Sequence, residues 1–265
     1  MVNGCGSWAS LDLAHAPAGG PVAFCGDLSP GTVLEAYRAG LYPFPAQDAY
    51  ACQMNEALFE ADVASGAIAV LGDGERNPYE VAWWSPDPRP VVSPGDIHIG
   101  HRLTRRLRNR LGWTTTVDRA FSQVLDECRR GRSPQWLTDE LMQSLTLLNA
   151  GRSAHSVEVW EGDTLIGGAY GMQTGTVFSL DSMFHRRSDA SKVAIADLAA
   201  RAGAVGVHLL DAQWDSPQIR DIGFAPVSRD RFLATLRSSG DAPSPPEDAR
   251  PARRLVPARG LPGGG

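Results

Sequence analysis

Several features typical of other protein classes are scarce or missing in this chain of 265 residues. Its four cysteines, Cys5, Cys25, Cys52 and Cys128, lie far apart with no CxxC or Cys/His spacing, which indicates neither a zinc site nor a disulfide framework. No apolar run approaches the roughly 18 residues of a membrane helix. Residues 1–18 lack the basic start and continuous apolar core of a signal peptide. We therefore expect a protein of the reducing cytoplasm with no membrane association.

The net charge of −5 argues against a uniformly basic nucleic-acid binder, but binding depends on where the cations lie. Residues 99–111 repeat apolar side chains every four positions, which predicts a helix with one apolar face. Beside that face lie five arginines with no acidic residue among them: Arg102, Arg105, Arg106, Arg108 and Arg110. A positive field of this kind suits phosphates, so we predict phosphate contacts here. The alternative is an ordinary solvated helix face.

The order of the predicted elements indicates an α+β protein. Ser29-Pro30 and Gly40 bound a short helix over residues 30–39, and a second helix is predicted over residues 54–64. After residue 133 the pattern predicts an antiparallel meander, a long helix and a last strand. These elements are strands at residues 156–160, 164–172 and 176–180, a helix starting near Asp189, and a strand at residues 207–213.

Composition divides the chain into four predicted segments. Residues 1–23 are rich in Gly, Ala and Pro and form a loose arm, and residues 24–95 form a small N-terminal domain that contains an insertion at residues 46–79. Residues 96–238 form the main domain, with a mixed, largely antiparallel sheet. Residues 239–265, with six prolines and five glycines, form a disordered tail because they cannot bury enough apolar surface.

The strand predicted before residue 213 carries a carboxylate and a carboxamide. Asp211 and Gln213 are two residues apart, so their side chains point to the same face of a strand. Buried polar groups are costly unless they bond each other or a ligand, which makes this pair a candidate site. The alternative is a strand end whose polar side chains reach water.

Eight motifs resemble segments of the bacterial leucyl/phenylalanyl-tRNA-protein transferases and follow one another in that family's order. Tryptophan-rich runs such as WWSPDPR rarely arise by chance, and the resemblance covers about residues 24–236. The motifs are CGDLSP (25–30), AYRAGLYPF (36–44), WWSPDPR (83–89), HSVEVW (155–160), GGAYG (167–171), SMFHR (182–186), DASK (189–192) and LDAQ (210–213).

The resemblance implies an enzyme that moves an amino acid from an aminoacyl-tRNA onto the N-terminal amine of a protein beginning with Lys or Arg. It implies a GNAT-like fold for the C-terminal domain, a hydrophobic donor amino acid (Leu, Phe or Met), and tRNA phosphates as the partners of the basic helix. Neither a metal nor another cofactor is expected, because the aminoacyl ester is already activated. We expect a monomer.

By resemblance, Asp211 and Gln213 lie at the reaction centre, and Asp181 lies near the α-amino group of the donor. We predict that Gln213 orients the reactants or stabilises the oxyanion, while Asp211 holds Gln213 and attracts the ammonium form of the acceptor. Phe44 and Trp136 would stack on the terminal adenine of tRNA. Core packing is the alternative for these two rings.

The predicted aminoacyl pocket departs from the family's pattern. Leu180-Asp181 stands where the family usually has Gly-Glu, which changes the geometry around the donor. The resemblance places five residues around the donor side chain: Ala169, Met183, Ile195, Leu198 and Ala202. The family often carries bulkier Met or Phe at three of these positions. A hydrophobic pocket distinguishes single methylenes by only about 1–3 kcal/mol, so the changes would retune the accepted amino acid without abolishing binding.

Other functions stay open. The departures around the site favour, as an alternative, the same donor chemistry with a small-molecule amine acceptor in peptide or nucleoside antibiotic biosynthesis. A non-catalytic tRNA-binding or peptide-binding module is a further alternative, against which the retention of Asp211 and Gln213 argues. The chain lacks a clear Gly-rich turn to cradle a pyrophosphate, which argues against an acetyl-CoA-dependent acetyltransferase.

Overall fold

The computed structural model describes residues 8–72 and 74–256, and within them the chain forms eight α-helices and twelve β-strands. The helices are α1 (Pro30–Arg38), α2 (Ala49–Ala64), α3 (His101–Asn109), α4 (Phe121–Arg129), α5 (Asp139–Ala150), α6 (Ala190–Ala204), α7 (Pro217–Arg220) and α8 (Arg229–Arg237). The strands are β1 (Pro21–Phe24), β2 (Tyr42–Pro45), β3 (Ala69–Val70), β4 (Val81–Trp84), β5 (Arg89–Val92), β6 (Thr114–Val117), β7 (Ala154–Glu161), β8 (Thr164–Thr174), β9 (Val177–His185), β10 (Leu209–Asp211), β11 (Ala225–Val227) and β12 (Arg250–Pro251).

The described strands form two sheets. The smaller has the order β2-β4-β1-β3, and the larger has the order β11-β5-β10-β9-β8-β7-β6-β12. In the larger sheet every neighbouring pair is antiparallel except β10 with β9, which run parallel. The predicted α+β class with a mixed, largely antiparallel sheet is therefore confirmed.

The two sheets share a hydrophobic core. One cluster of buried side chains joins Trp83 of β4 to Phe121 of α4 and Leu233 of α8. In addition, β5 lies before the predicted domain boundary at residue 95 but belongs to the larger sheet. The N-terminal part therefore packs as an extension of the main sheet's core, and the proposed division at residues 95/96 remains a prediction.

Capping residues account for the ends of several helices. The Ser29 side chain accepts a hydrogen bond from the Thr32 backbone N–H, which starts α1 where the sequence predicts it. The helix predicted at residues 54–64 begins earlier, at Ala49, because the Asp48 side chain accepts a hydrogen bond from the Ala51 backbone N–H. The cap, rather than the apolar periodicity, sets this boundary.

The N-terminal segment predicted to be a loose arm is packed over residues 8–23, so the prediction is wrong there. Trp8 is buried, with its ring centroid 4.7 Å from that of Trp83, and β1 begins at Pro21 inside the predicted arm. Trp8 buries a large apolar surface, and the Arg229 guanidinium donates hydrogen bonds to the carbonyls of Ala16 and Pro17, contacts that composition alone does not reveal. Residues 1–7 lie outside the described part of the chain.

The predicted disordered tail is also wrong for residues 242–254. The Gln173 side chain donates hydrogen bonds to the carbonyls of Ala242 and Pro243, β12 pairs with β6, and Arg254 pairs with the buried Asp197. Polar contacts thus supply the order that the segment's low apolar content does not predict. Residues 257–265 lie outside the described residues.

The cysteines show one departure from the sequence analysis. Cys25 takes part in a disulfide bond, whereas Cys52 and Cys128 are free thiols. Spacing along the chain gave no sign of this bond. Within the part of the chain that is described, none of the helices combines the length and the apolar composition that a membrane crossing requires.

Candidate active site

A cavity of about 230 Å³ opens where β2, β9 and the segment after β10 meet. Aromatic and apolar side chains dominate its lining, with a single carboxylate among them. The structure brings together here five of the predicted site residues: Phe44, Trp136, Asp181, Met183 and Gln213.

Asp181 enters the cavity at an irregularity in β9. Gly171 of β8 pairs with Leu180 and Tyr170 pairs with Ser182, which leaves Asp181 as the extra residue between them. Such a bulge breaks the side-chain alternation of a strand and re-aims one side chain. A bulge next to a cavity is a feature often found beside active sites.

Two neutral donors hold the Asp181 carboxylate. The Tyr37 hydroxyl donates to Oδ1 at 2.7 Å, and Nε2 of Gln213 donates to the same oxygen at 2.5 Å. Burial raises the pKa of Asp181 to about 7, because loss of solvent outweighs the stabilisation by these two hydrogen bonds and by the more distant Arg89. Near neutral pH this carboxylate therefore exchanges a proton readily, as a general acid or base must.

Asp211 lies behind the cavity and is fully buried. Nε and Nη2 of Arg89 donate to its two carboxylate oxygens, each at 2.8 Å. The Ser179 hydroxyl donates to Oδ2 at 3.0 Å, and the Gln213 backbone N–H donates to Oδ1 at 2.9 Å. Because Arg89 occupies both oxygens, the prediction that Asp211 attracts the acceptor ammonium is wrong. Asp211 holds Gln213 through the backbone instead.

The chain turns sharply at Gln213. Strand β10 ends at Asp211, two residues before the predicted strand end, and Gln213 has a φ of +62°. This left-handed conformation is uncommon for residues other than glycine. It carries the Gln213 side chain toward Asp181. Asp211 and Gln213, whose side chains the sequence predicts on one strand face, therefore meet through the Gln213 backbone N–H instead. Unusual backbone conformations of this kind cluster at functional sites.

The two predicted adenine-binding rings lie side by side. The centroids of Phe44 and Trp136 are 5.9 Å apart, and their planes differ by 19°, which is a stacked arrangement. Since the rings contact each other, a base would stack on an outer face of the pair. Two residues before Phe44 on β2, Tyr42 belongs to a second aromatic group with Trp84 and Trp214.

Four of the five residues predicted to surround the donor side chain lie outside the cavity lining. Each is at most 1% exposed and belongs to the core around α6: Ala169, Ile195, Leu198 and Ala202. Met183 lines the cavity, together with Leu180 and Ile219, which the sequence analysis did not place in the pocket. Leu180 also belongs to the same core cluster. Its side chain provides the apolar wall where the family usually has a glycine.

Helix α3 presents the predicted basic surface. Leu103 and Leu107 are buried, as the periodicity predicts. Arg106 is paired, because its Nη1 donates to Asp189 at 2.7 Å. The run contains no acidic residue, but Arg106 finds its partner at Asp189, 83 residues further along the chain. Four arginines of the run are exposed: Arg102, Arg105, Arg108 and Arg110.

Sequence reasoning also missed Tyr37, Arg89 and Trp214. The first two lie within motifs that were recognised, but nothing in the motifs shows that they contact Asp181 and Asp211. Across residues 8–72 and 74–256, no group of three or more His, Cys, Asp or Glu side chains converges in a way that could hold a metal ion. The chemistry that the site offers is that of a perturbed carboxylate, a carboxamide and aromatic faces.

A carboxylate that titrates near neutrality, set beside stacked rings in an α+β fold, is typical of an enzyme that binds a flat group and moves a proton. Comparison with known proteins identifies the family. The family model for leucyl/phenylalanyl-tRNA protein transferase matches residues 91–237. The leucyl/phenylalanyl-tRNA–protein transferase of Shewanella baltica (strain OS185) is 35% identical over 240 residues, which cover 89% of this chain and 88% of that protein. The chain belongs to this family and is an aminoacyltransferase, as the sequence motifs predict.

A second relative supports this assignment. The protein of the same name from Syntrophotalea carbinolica is 35% identical over 247 residues, covering 91% of this chain and 94% of that protein. Among solved structures, a GCN5-related N-acetyltransferase from Kribbella flavida has a TM-score of 0.35 and 16% identity, covering 54% of this chain and 55% of that one.

Proposed function

We propose that this protein transfers a hydrophobic amino acid from an aminoacyl-tRNA onto the N-terminal amine of a protein that begins with Lys or Arg, in the cytoplasm. Family membership supports the donor and the protein acceptor. The observation that carries the proposal is the position of Asp181, a carboxylate that titrates near neutrality at the wall of a cavity lined by Phe44 and Trp136.

The donor would bind across the cavity. Its terminal adenine would stack on an outer face of the Phe44–Trp136 pair, because such stacking accepts any base. The aminoacyl side chain would contact the apolar wall of Leu180 and Met183. The exposed arginines of α3 would bind tRNA phosphates outside the cavity, since exposed guanidinium groups bind phosphate in a bidentate way.

The transfer forms one bond and breaks another. The acceptor amine attacks the ester carbon, the C–N bond forms, and the C–O bond to the terminal ribose breaks. An acceptor that arrives as an ammonium ion gives one proton to Asp181 and, during the reaction, a second to the departing ribose oxygen. Asp181 then returns its proton to solvent.

The Gln213 carboxamide lies at the cavity wall, where it would face the reacting carbonyl. Nε2 carries two hydrogens, and one of them is donated to Asp181. The second would stabilise the negative charge that develops on the carbonyl oxygen, as in other acyl-transfer sites. Asp211 and Arg89 act as positioning residues, because they fix the backbone N–H of Gln213 without lining the cavity.

A transfer assay with defined donors and acceptors tests the proposal. The protein would be incubated with tRNA charged with radiolabelled Leu, Phe or Met, together with peptides that begin with Lys, Arg or Ala and a panel of small amines. We expect labelled peptide products with Lys and Arg first residues. Exclusive labelling of a small amine would favour the biosynthetic alternative, and tRNA binding without any transfer would favour a non-catalytic module.

A further inference from the structure

Trp214 is an exposed aromatic residue at the edge of the cavity, and its apolar surface stays in solvent unless a ligand covers it. Its side chain is 46% exposed, although tryptophan usually buries most of its surface. It also lines the cavity that contains Asp181 and Gln213. Five large hydrophobic side chains are exposed among the described residues, and the other four lie outside this lining: Tyr50, Leu58, Val70 and Leu147.

The indole ring is held in place by its surroundings. Its centroid lies 5.3 Å from that of Trp84 and 6.4 Å from that of Tyr42, in tilted and edge-on arrangements. The Trp214 backbone N–H donates to the Ala212 carbonyl at 2.6 Å, which closes the turn at Gln213. A ring fixed on one side by two aromatic neighbours therefore presents its remaining surface at the cavity at little further entropic cost.

We propose that the exposed face of Trp214 binds the side chain of the acceptor's first residue and favours a long cationic side chain. This inference rests on the proposed function. Trp214 follows Gln213 directly, and the acceptor amine must reach the carbonyl beside Gln213. The side chain on the same residue as that amine therefore lies within reach of the indole.

The chemistry of the ring favours a cation over a neutral chain. The face of an indole attracts an ammonium or guanidinium group, and its area packs against the methylene groups that carry the charge. The adjacent Asp215 is engaged with Arg220, whose Nε donates to both of its oxygens. The cavity lining also contains one cation, Arg132, whose Nη2 donates to the Met183 carbonyl at 3.0 Å. The indole ring and the Asp181 carboxylate are therefore the groups that attract the acceptor's charge against this repulsion.

Steady-state kinetics with three acceptors test this inference. The peptides differ only in their first residue, which is Lys, norleucine (the same length without the charge) or Ala. For the wild-type enzyme we expect a several-fold preference for Lys over norleucine, in line with the strength of cation–π contacts. Trp214→Ala should raise KM for the Lys peptide about ten-fold and remove that preference, while KM for the charged tRNA stays unchanged. Trp214→Phe should retain most of the preference.

The controls separate a local effect from a loss of structure. Leu147→Ala removes another exposed apolar side chain, 55% exposed on α5 and outside the cavity, and should leave both KM values unchanged. The role proposed for Trp214 would be rejected if Trp214→Ala left KM for the Lys peptide unchanged or raised KM for the charged tRNA instead. The proposed function would be unaffected by either result. If the wild-type enzyme transfers to no peptide, the proposed function fails first and the inference falls with it.

Discussion

Asp181 and Asp211 are the same residue type on two neighbouring strands, yet they have opposite surroundings. Asp211 faces the Arg89 guanidinium with both oxygens, and a hydroxyl and a backbone N–H add further donors. Asp181 accepts from two neutral donors on one oxygen and lines the cavity. Asp211 therefore has a counter-charge within hydrogen-bond distance, whereas Asp181 has none and has a pKa raised to about 7, which suits the base that we propose.

The largest effect is expected from breaking the compensated pair. Arg89→Met removes the cation but leaves Asp211 buried without a counter-charge, which should lower the free energy of unfolding by about 3–5 kcal/mol. Urea denaturation followed by circular dichroism measures this change.

Arg106→Met is the matched control, because it breaks a half-exposed pair with Asp189. We expect it to lower the free energy of unfolding by less than about 1 kcal/mol. Equal losses in the two variants would show that burial does not distinguish these pairs.

The next largest effect concerns the rate of transfer. Asp181→Asn keeps the shape of the side chain but removes its ability to accept the proton, so kcat should fall by about 100-fold or more. Single-turnover transfer from a charged tRNA measures the chemical step directly. The circular dichroism spectrum should match that of the wild type, and near-normal kcat would remove Asp181 from the mechanism.

This division between the two carboxylates shows what the sequence could and could not predict. The α+β class, α1 and the meander of β7 and β8 follow from caps and local periodicity, which act over a few residues. The Arg89–Asp211 pair joins residues 122 positions apart, and no local pattern indicates such a contact. The same limit explains the ordered residues 8–23 and 242–254, which depend on distant partners.

The site itself was predicted unevenly for a related reason. Motifs identified Asp181, Gln213, Phe44 and Trp136, which all line the cavity. They did not show that the residues around α6 are sealed in the core, because this depends on how neighbouring side chains fill the space. Leu180, a departure from the family's pattern, forms part of the wall there.

The pKa of Asp181 gives opposite pH dependences for activity and stability. Its folded-state pKa of about 7 lies above the ordinary value of 3.8, so the folded state favours the protonated form. Its contribution to stability is fully present below about pH 3.8 and is lost as the pH rises through 7. The proposed mechanism needs Asp181 in its ionised form, so kcat should rise with pH over the same upper range.

Asp181→Asn tests both trends at once. The variant should lack the rise in kcat near pH 7 and should gain stability over the wild type at pH 8, where the wild-type carboxylate is ionised and half-buried. Thermal unfolding at pH 6 and pH 8 measures the second effect. If the difference in stability between the wild type and the variant is the same at pH 6 and at pH 8, the raised pKa of Asp181 is contradicted.

The smallest effect extends the comparison to the cations of α3, where Arg106 is paired with Asp189 and Arg105 and Arg110 are exposed. An arginine that already has a carboxylate partner releases few counterions on binding phosphate, whereas an uncompensated one releases them fully. Arg105→Ala and Arg110→Ala should therefore each weaken tRNA binding a few-fold and reduce the slope of log affinity against log salt by about 0.7–0.9. Arg106→Ala should change the slope less.

The matched control is Arg231→Ala, which removes an exposed arginine on α8 and should leave the slope unchanged. Fluorescence anisotropy of labelled tRNA over a salt series measures all four variants, and equal slopes throughout would place the tRNA on another face of the protein.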